Sequence, residues 1–177
     1  ALASPAVAGV VHDESVDGDL ATNPAAPTPL AFTPGGSSVI GTVSNVGTVD
    51  RDYITFTIGP LEILTALNLV AISPDNLAFA ALNAGTTSFV PDGSTIGNFL
   101  AGIHIAAAQV GTDLMPLFVS SSVTTNSLPA PFLGPGDYCF VIQQTSPITQ
   151  SYSLEFFVES AVRTESSTWG RVKALYR

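Results

Sequence analysis

Cysteine and histidine are scarce in this sequence, with one cysteine and two histidines among 177 residues. The single thiol, Cys139, excludes an intramolecular disulfide and any cysteine-rich zinc site. Cys139 lies in the strand-like run YCFVIQ, so we expect a buried core thiol rather than a nucleophile.

His104 lies in GIHIAAA, which lacks the second histidine and the glutamate of a zinc-protease helix. GSTIG at residues 93–97 lacks the central serine of a nucleophile elbow. The sequence therefore predicts a protein that is not an enzyme.

Positive charge is nearly absent from most of the chain. Residues 1–162 contain thirteen acidic residues and one basic residue, Arg51. Residues 163–177 reverse the balance, with one acidic residue and four basic ones: Arg163, Arg171, Lys173 and Arg177. Nucleic-acid binding needs clustered lysine and arginine, which the body of the chain lacks. The composition therefore excludes a nucleic-acid partner, and the acidic surface serves either solubility alone or the binding of cations or a partner.

Long hydrophobic runs are also missing, although 46% of the residues are hydrophobic. A membrane-spanning helix needs about 18 consecutive apolar residues. The longest apolar stretch, residues 100–110, is shorter than that and contains His104 and Gln109. No basic segment followed by an apolar one marks a secretory signal, but the first residues, ALASPA, are typical of the sequence around a signal-peptidase cut. We therefore expect no membrane span and a mature protein that is secreted or held at the cell surface.

Alternation of apolar and polar residues is the strongest pattern that the sequence does contain. In residues 52–58 it places Ile54, Phe56 and Ile58 on the face predicted to be buried. Residues 132–160 show the same alternation twice, and we expect two strands joined as a hairpin. Further strands are expected at residues 37–44, 61–72, 77–82, 88–90, 99–106 and 114–123. Many short strands separated by glycine and proline turns predict an all-β fold, an antiparallel β-sandwich of the jelly-roll kind.

The N-terminal segment differs from this central sandwich, which we assign to residues 37–160. It starts with the apolar run AVAGVV, continues through an acidic stretch and ends in a proline-rich stretch. Proline at positions 24, 27, 29 and 34 prevents a helix there. Residues 1–36 are therefore predicted to form a strand, an acidic loop and an extended connector.

The C-terminal segment, residues 161–177, is a basic tail that contains aromatic residues. A serine or threonine at residues 166–168 can cap a short helix whose apolar side carries Trp169, Val172 and Tyr176. A nine-residue helix is marginal on its own. We therefore expect the tail to pack either on its own domain or on a neighbouring subunit.

Several of these segments together resemble a known family. The order of the acidic segment, GTV followed by DRDYITFTI, and then LGPGDYCFVIQQ and SYSLEFFV resembles the bacterial pre-peptidase C-terminal domain. DESVDGDL, NPAAPTPL and DRDYITFTI also resemble exported bacterial surface proteins related to it. The resemblance covers about residues 11–159. It implies a secreted β-sandwich that accompanies extracellular enzymes and surface proteins.

Acidic residues form the one cluster with a definite chemistry. Four lie within seven residues around Gly18, and two more flank Arg51. Ca²⁺ takes six to eight oxygen ligands from carboxylates and carbonyls on flexible loops, so a hard cation suits these groups if the fold joins them. The resemblance implies calcium as a cofactor, with candidate ligands Asp13, Glu14, Asp17, Asp19, Asp50 and Asp52. The alternative is a solvated acidic loop with Arg51 as a local counter-charge.

Two functions follow as hypotheses. The first is a non-catalytic extracellular structural or adhesive subunit that binds further copies of itself head to tail, with the N-terminal strand at residues 6–11 and the C-terminal tail making a surface filament. The second is a secreted accessory module that binds carbohydrate or matrix protein. It predicts an exposed aromatic face, for which the chain offers Tyr53, Tyr138, Tyr152 and Trp169.

Overall fold

The computed structural model describes residues 8–160 as two packed β-sheets. The start of the predicted N-terminal strand and the predicted helix at residues 169–177 lie outside the described residues. The strands are β1 (Gly9–Asp13), β2 (Thr28–Pro29), β3 (Gly35–Ser44), β4 (Arg51–Ile58), β5 (Glu62–Ser73), β6 (Ala78–Ala84), β7 (Ala101–Ile105), β8 (Gly136–Gln144) and β9 (Thr149–Ser160). The predicted all-β sandwich is confirmed.

The two sheets differ in size and both contain strands from distant parts of the chain. The first sheet has the order β1-β3-β9-β5, and the second has the order β2-β4-β8-β6-β7. Most neighbours are antiparallel, but β1 is parallel to β3 and β2 is parallel to β4. The N-terminal segment therefore adds one edge strand to each sheet and crosses from one sheet to the other on the way.

The predicted hairpin at residues 132–160 is wrong in its pairing. Both strands exist, but β8 pairs with β4 and β6, whereas β9 pairs with β3 and β5. The short link between them changes sheets, and the side chains of Gln144 and Gln150 bond to each other across it at 2.8 Å. Alternation indicates which face of a strand is buried, but two strands with the same alternation can lie in one sheet or face each other across a core.

The core between the sheets is built from the alternating residues that the sequence predicted. Ile54, Phe56 and Ile58 of β4 are buried and face Leu154, Phe156 and Val158 of β9, which are buried as well. Phe32, at the end of the proline-rich connector, stacks on Phe156 with ring centroids 4.4 Å apart. The connector is therefore held on the sandwich by an aromatic contact.

The outer face of the second sheet is also covered. Loop residues before β7 pack over a second apolar cluster that contains Tyr53, Phe79, Phe99, Cys139 and Val141. Cys139 is fully buried, as predicted. Residues 88–90, predicted as a strand, form part of this loop instead.

Residues 114–123 do not form the predicted strand. Met115–Ser120 form a short helix, α2, with Pro116 in its first turn, where a fixed φ favours a helix start. The Asp113 carboxylate accepts a hydrogen bond from the Met115 amide at 3.0 Å. Met115 and Phe118, three residues apart, are both buried, so the apolar spacing here has the period of a helix.

The other α-helix is also short. Glu14–Asp17 form α1, a single turn directly after β1. Among residues 8–160, no helix has the length and apolar character needed to cross a bilayer.

Candidate metal centre

Asp52 is a carboxylate in the interior of the sandwich. It is the second residue of β4 and lies on the same face as Ile54 and Phe56, so its side chain points between the sheets, and it is 1% exposed. Its Oδ2 accepts a hydrogen bond from the Tyr152 hydroxyl of β9 at 2.7 Å, which joins the two sheets. Its Oδ1 is buried and has no hydrogen-bond partner among the described residues. A buried polar atom without a partner is costly, so this oxygen needs a further ligand or a proton.

Glu14 brings the N-terminal segment to the same place. It is the first residue of α1, which Asp13 caps by accepting a hydrogen bond from the Ser15 amide. One oxygen of the Glu14 carboxylate accepts from the Leu20 amide at 3.1 Å, and the other accepts from the Thr42 amide of β3 at 2.6 Å. The carboxylate is therefore fixed between its own loop and the first sheet.

Asp19 completes the group that we call the acidic site: Glu14, Asp19 and Asp52. One carboxylate oxygen from each of the three lies within 4.8 Å of the others. The loop that carries Asp19 is held by the buried side chain of Leu20 and by a 3.0 Å hydrogen bond between the His12 ring and the Gly18 carbonyl. Glu14 and Asp19 also line an open pocket of about 470 Å³, through which the site can be reached from solvent.

Burial and the nearby carboxylates together raise the pKa values of Asp52 and Asp50. Burial, followed by the nearby charge of Glu14, raises the pKa of Asp52 to about 9, although the Tyr152 hydrogen bond acts in the opposite direction. Burial, followed by the charges of Asp19 and Glu14, raises the pKa of Asp50 to about 6. Without a cation, Asp52 therefore holds a proton near neutral pH.

The six acidic residues proposed from the sequence do not all meet. Glu14, Asp19 and Asp52 form the acidic site, and Asp50 is close enough to respond to its charge. The structure uses the other two locally: Asp13 caps α1, and the Asp17 carboxylate accepts from the Asp13 amide at 2.8 Å.

Two side chains near the site lie elsewhere than the alternative hypotheses required. Arg51 is not a counter-charge to the carboxylates, because its side chain lies on the opposite face of β4, where its Nε donates to Gln143 at 2.6 Å. Tyr152 belongs to the site, whereas the hypothesis of a carbohydrate- or matrix-binding module would need it on an exposed aromatic face. Tyr53 and Tyr152 are buried and Tyr138 is half-buried, while Trp169 lies outside the described residues, so the tyrosines do not form that face.

The donor set fits a hard divalent cation. Calcium binds oxygen at about 2.3–2.6 Å, so two ligand atoms on opposite sides of one ion are up to about 5 Å apart. The three carboxylate oxygens, within 4.8 Å of one another, satisfy this limit. The unpartnered Oδ1 of Asp52 supplies a lone pair that nothing else in the described residues uses.

The histidines do not form a catalytic pair with this site. His12 bonds to the Gly18 carbonyl, and His104 is an exposed residue of β7 whose ring contacts Phe79 edge-on. The fold and the site together define a β-sandwich with an acidic, oxygen-only centre that is buried at Asp52 and exposed at Asp19.

Comparison with known proteins gives a structural match of low similarity. No family model matches the chain, and no curated protein matches it. Among solved structures, the pre-peptidase C-terminal domain of a collagenase from Bacillus anthracis matches 78% of this chain and all of its own chain, with 10% sequence identity and a TM-score of 0.36. A likeness of this degree assigns neither family nor ligand, and the fold class follows from the two sheets described above.

Proposed function

We propose that this chain is a non-catalytic extracellular accessory module in which Ca²⁺ locks the N-terminal segment onto the β-sandwich. The observation that carries the proposal is the buried, unpartnered Oδ1 of Asp52 beside the carboxylates of Glu14 and Asp19. A carboxylate in this position must either take up a proton or meet a cation.

The ligand types favour calcium over other common ions. All three side chains of the acidic site offer oxygen, whereas zinc prefers nitrogen and sulfur ligands. Magnesium demands near-ideal octahedral geometry and gives up water reluctantly, whereas calcium accepts irregular sets of six to eight oxygens. Three protein carboxylates with the remaining places filled by water or carbonyl oxygens suit the weaker calcium sites of extracellular modules, which act at roughly 10⁻⁴–10⁻³ M.

An ion at this position would have a structural role. Glu14 and Asp19 belong to the N-terminal segment, Asp52 belongs to the second sheet, and Glu14 is bonded to Thr42 of the first sheet. These residues would hold the ion between three separate parts of the chain. Binding would then raise stability and order the segment, with no chemical step involved.

Calorimetric titration with Ca²⁺, with Mg²⁺ as the comparison, tests the proposal. We expect Ca²⁺ to bind the wild type with one site and to raise its melting temperature. Asp52→Asn should abolish both effects, because an amide of the same size cannot ionise to become an anionic ligand for the ion. Asp17→Asn is the matched control: it makes the same substitution in the N-terminal acidic segment, outside the acidic site, and it should bind as the wild type does. Equal binding by the wild type and Asp52→Asn would refute the site.

Self-assembly into a filament is the other function expected from the sequence. Part of the N-terminal strand proposed for donation, Gly9–Val11, already belongs to β1 and pairs with β3 of the same chain. This pairing favours the accessory module, because donation to a neighbour would first break it. Sedimentation velocity across a range of concentrations tests the alternative: a single monomeric species supports the accessory module, and growing assemblies support the filament.

A further inference from the structure

A small apolar pocket lies at the end of the sandwich opposite the acidic site. It has a volume of about 260 Å³, and we call it the Phe132 pocket. Its apolar lining consists of Leu100, Leu128, Pro129, Ala130, Phe132 and Leu133. Leu128 and Leu133 are each only 3% exposed, whereas the ring of Phe132 at the rim is 49% exposed. The pocket is smaller than the roughly 300–1,000 Å³ of sites for drug-sized ligands, so it suits one large side chain.

The last described strand ends beside this pocket. On β5, Leu64 pairs with Val158 of β9 on one side and with Leu133 on the other. Because neighbouring strands are about 4.8 Å apart, Leu133 lies about 10 Å from Val158. β9 ends at Ser160, two residues later. Residues 161–177 therefore begin within reach of the Phe132 pocket.

Residues 161–177 contain apolar and basic residues, which complement the apolar Phe132 pocket and the acidic residues near it. Trp169 is the only tryptophan in the chain, and Val172 and Tyr176 follow it at helical spacing. The nine residues from Ser160 to Trp169 span about 14 Å as a helix and about 30 Å when extended, which exceeds the 10 Å to the pocket. Two acidic residues, Glu62 and Asp137, lie at the start of β5 and β8 at this end, opposite in charge to Arg171 and Lys173.

We propose that Trp169 packs into the Phe132 pocket of its own molecule. The indole ring covers Phe132 and the buried leucines, and the basic residues that follow it lie near Glu62 and Asp137. An amphipathic segment too short to be stable as an isolated helix gains its order from this apolar contact. The C-terminal segment is then part of the module and is not free to join a neighbour.

Fluorescence tests this directly, because Trp169 is the only tryptophan. In the full chain we expect blue-shifted emission and several-fold slower quenching by acrylamide than for N-acetyl-tryptophanamide. Phe132→Ser should shift the emission to the red and speed the quenching. Phe89→Ser is the matched control, since Phe89 is also a partly exposed phenylalanine, at 39%, but lies in the loop over the second sheet. It should leave the spectrum unchanged, with circular dichroism confirming that both variants keep their β signal.

Three results would overturn the inference. Emission and quenching like those of the free analogue would mean that Trp169 is exposed. Protection that survives Phe132→Ser would place the indole elsewhere. Protection that appears only as protein concentration rises would place it on a second copy. The readout is independent of the calcium proposal, because paired residues of β3 and β9 separate the two sites by about 20 Å along the strands.

Discussion

At the scale of single residues, Asp52 is the residue on which the proposed function depends. In the sequence, Asp50 and Asp52 lie together at the start of a predicted strand whose buried face begins with Ile54. The structure starts β4 at Arg51, so Asp52 is already within the alternating row and faces the core. Extending the observed alternation back by one step would have predicted this orientation. The sequence contains no comparable sign that Tyr152 meets Asp52, because that contact joins strands one hundred residues apart.

Tyr152→Phe tests the hydrogen bond that links the two sheets. It removes the donor to Asp52 Oδ2 and leaves a second buried oxygen without a partner. We expect the calcium-free protein to lose about 1–3 kcal/mol of unfolding free energy, measured by urea denaturation. Tyr138→Phe is the control, because that hydroxyl bonds to the Gly134 carbonyl at a half-buried position and its loss should cost less. Equal losses in the two variants would argue against a special role for Tyr152.

For the secondary-structure elements, the sequence predicted the positions of most strands but not which strands pair with each other. Alternation located the buried faces of β4 and β9, because period two follows directly from strand geometry. It could not show that β8 and β9 lie in different sheets, since that choice depends on contacts far apart in sequence. It also misassigned α2, where Pro116 and the spacing of Met115 and Phe118 are helical features in a run rich in apolar residues.

The acidic site was predictable in part for the same reason. Glu14 and Asp19 are close in sequence, and the loop between them is short. Glu14 and Asp19 lie close to Asp52 only because β3, β4 and the N-terminal segment come together in the fold. No local sequence pattern specifies that contact. Asp13 and Asp17 looked equivalent to their neighbours in sequence, but the single turn of α1 uses both carboxylates for its own backbone.

Gly41→Ala tests how closely the Tyr152 side chain of β9 lies against Gly41, its partner on the neighbouring strand β3. A Cβ added at Gly41 would lie 2.6 Å from the Tyr152 hydroxyl oxygen and 2.8 Å from its ring carbon Cζ. The ring is buried, so it cannot move without disturbing the bond to Asp52. We expect a loss of about 1–3 kcal/mol in thermal or urea unfolding, together with weaker calcium binding.

Gly93→Ala provides the comparison for that variant. Nothing lies within 4 Å of a Cβ at Gly93, which is in an exposed loop, so this substitution should change neither stability nor calcium binding. If Gly41→Ala proved as mild as Gly93→Ala, the contact between Gly41 and Tyr152 would not be tight in solution.

At the scale of the whole molecule, the N-terminal segment and the sandwich depend on each other through charge. The segment contributes an edge strand to each sheet, but between these strands it carries Glu14 and Asp19 up to a buried Asp52. Like charges at this distance repel, and neither burial nor the Tyr152 hydrogen bond cancels the repulsion. The folded state therefore needs protons or a cation to reduce the negative charge on these three carboxylates. Its stability then depends on pH and on calcium together.

The pH dependence follows from the raised pKa values. Asp52 has a folded pKa of about 9 against an ordinary value of 3.8, so between these limits the folded state holds a proton that the unfolded state has lost. Stability without calcium must then fall as pH rises through this window, by at most about 1.4 kcal/mol per pH unit for one proton. Asp50, with a folded pKa of about 6, adds to the fall between about pH 4 and pH 6.

Calcium should reverse this trend, because it replaces the proton on Asp52 and binds better as the carboxylates ionise. Melting curves from about pH 5 to about pH 8, in chelator and in millimolar calcium, measure the effect. We expect the melting temperature in chelator to fall with pH, and the difference between the calcium and chelator curves to widen. Asp52→Asn should flatten the chelator curve and close the difference, because an amide neither titrates nor binds the ion. A calcium effect of the same size at both ends of the range would mean that ion binding is not coupled to Asp52, and the buried carboxyl would then be a neutral hydrogen-bonding group of the core.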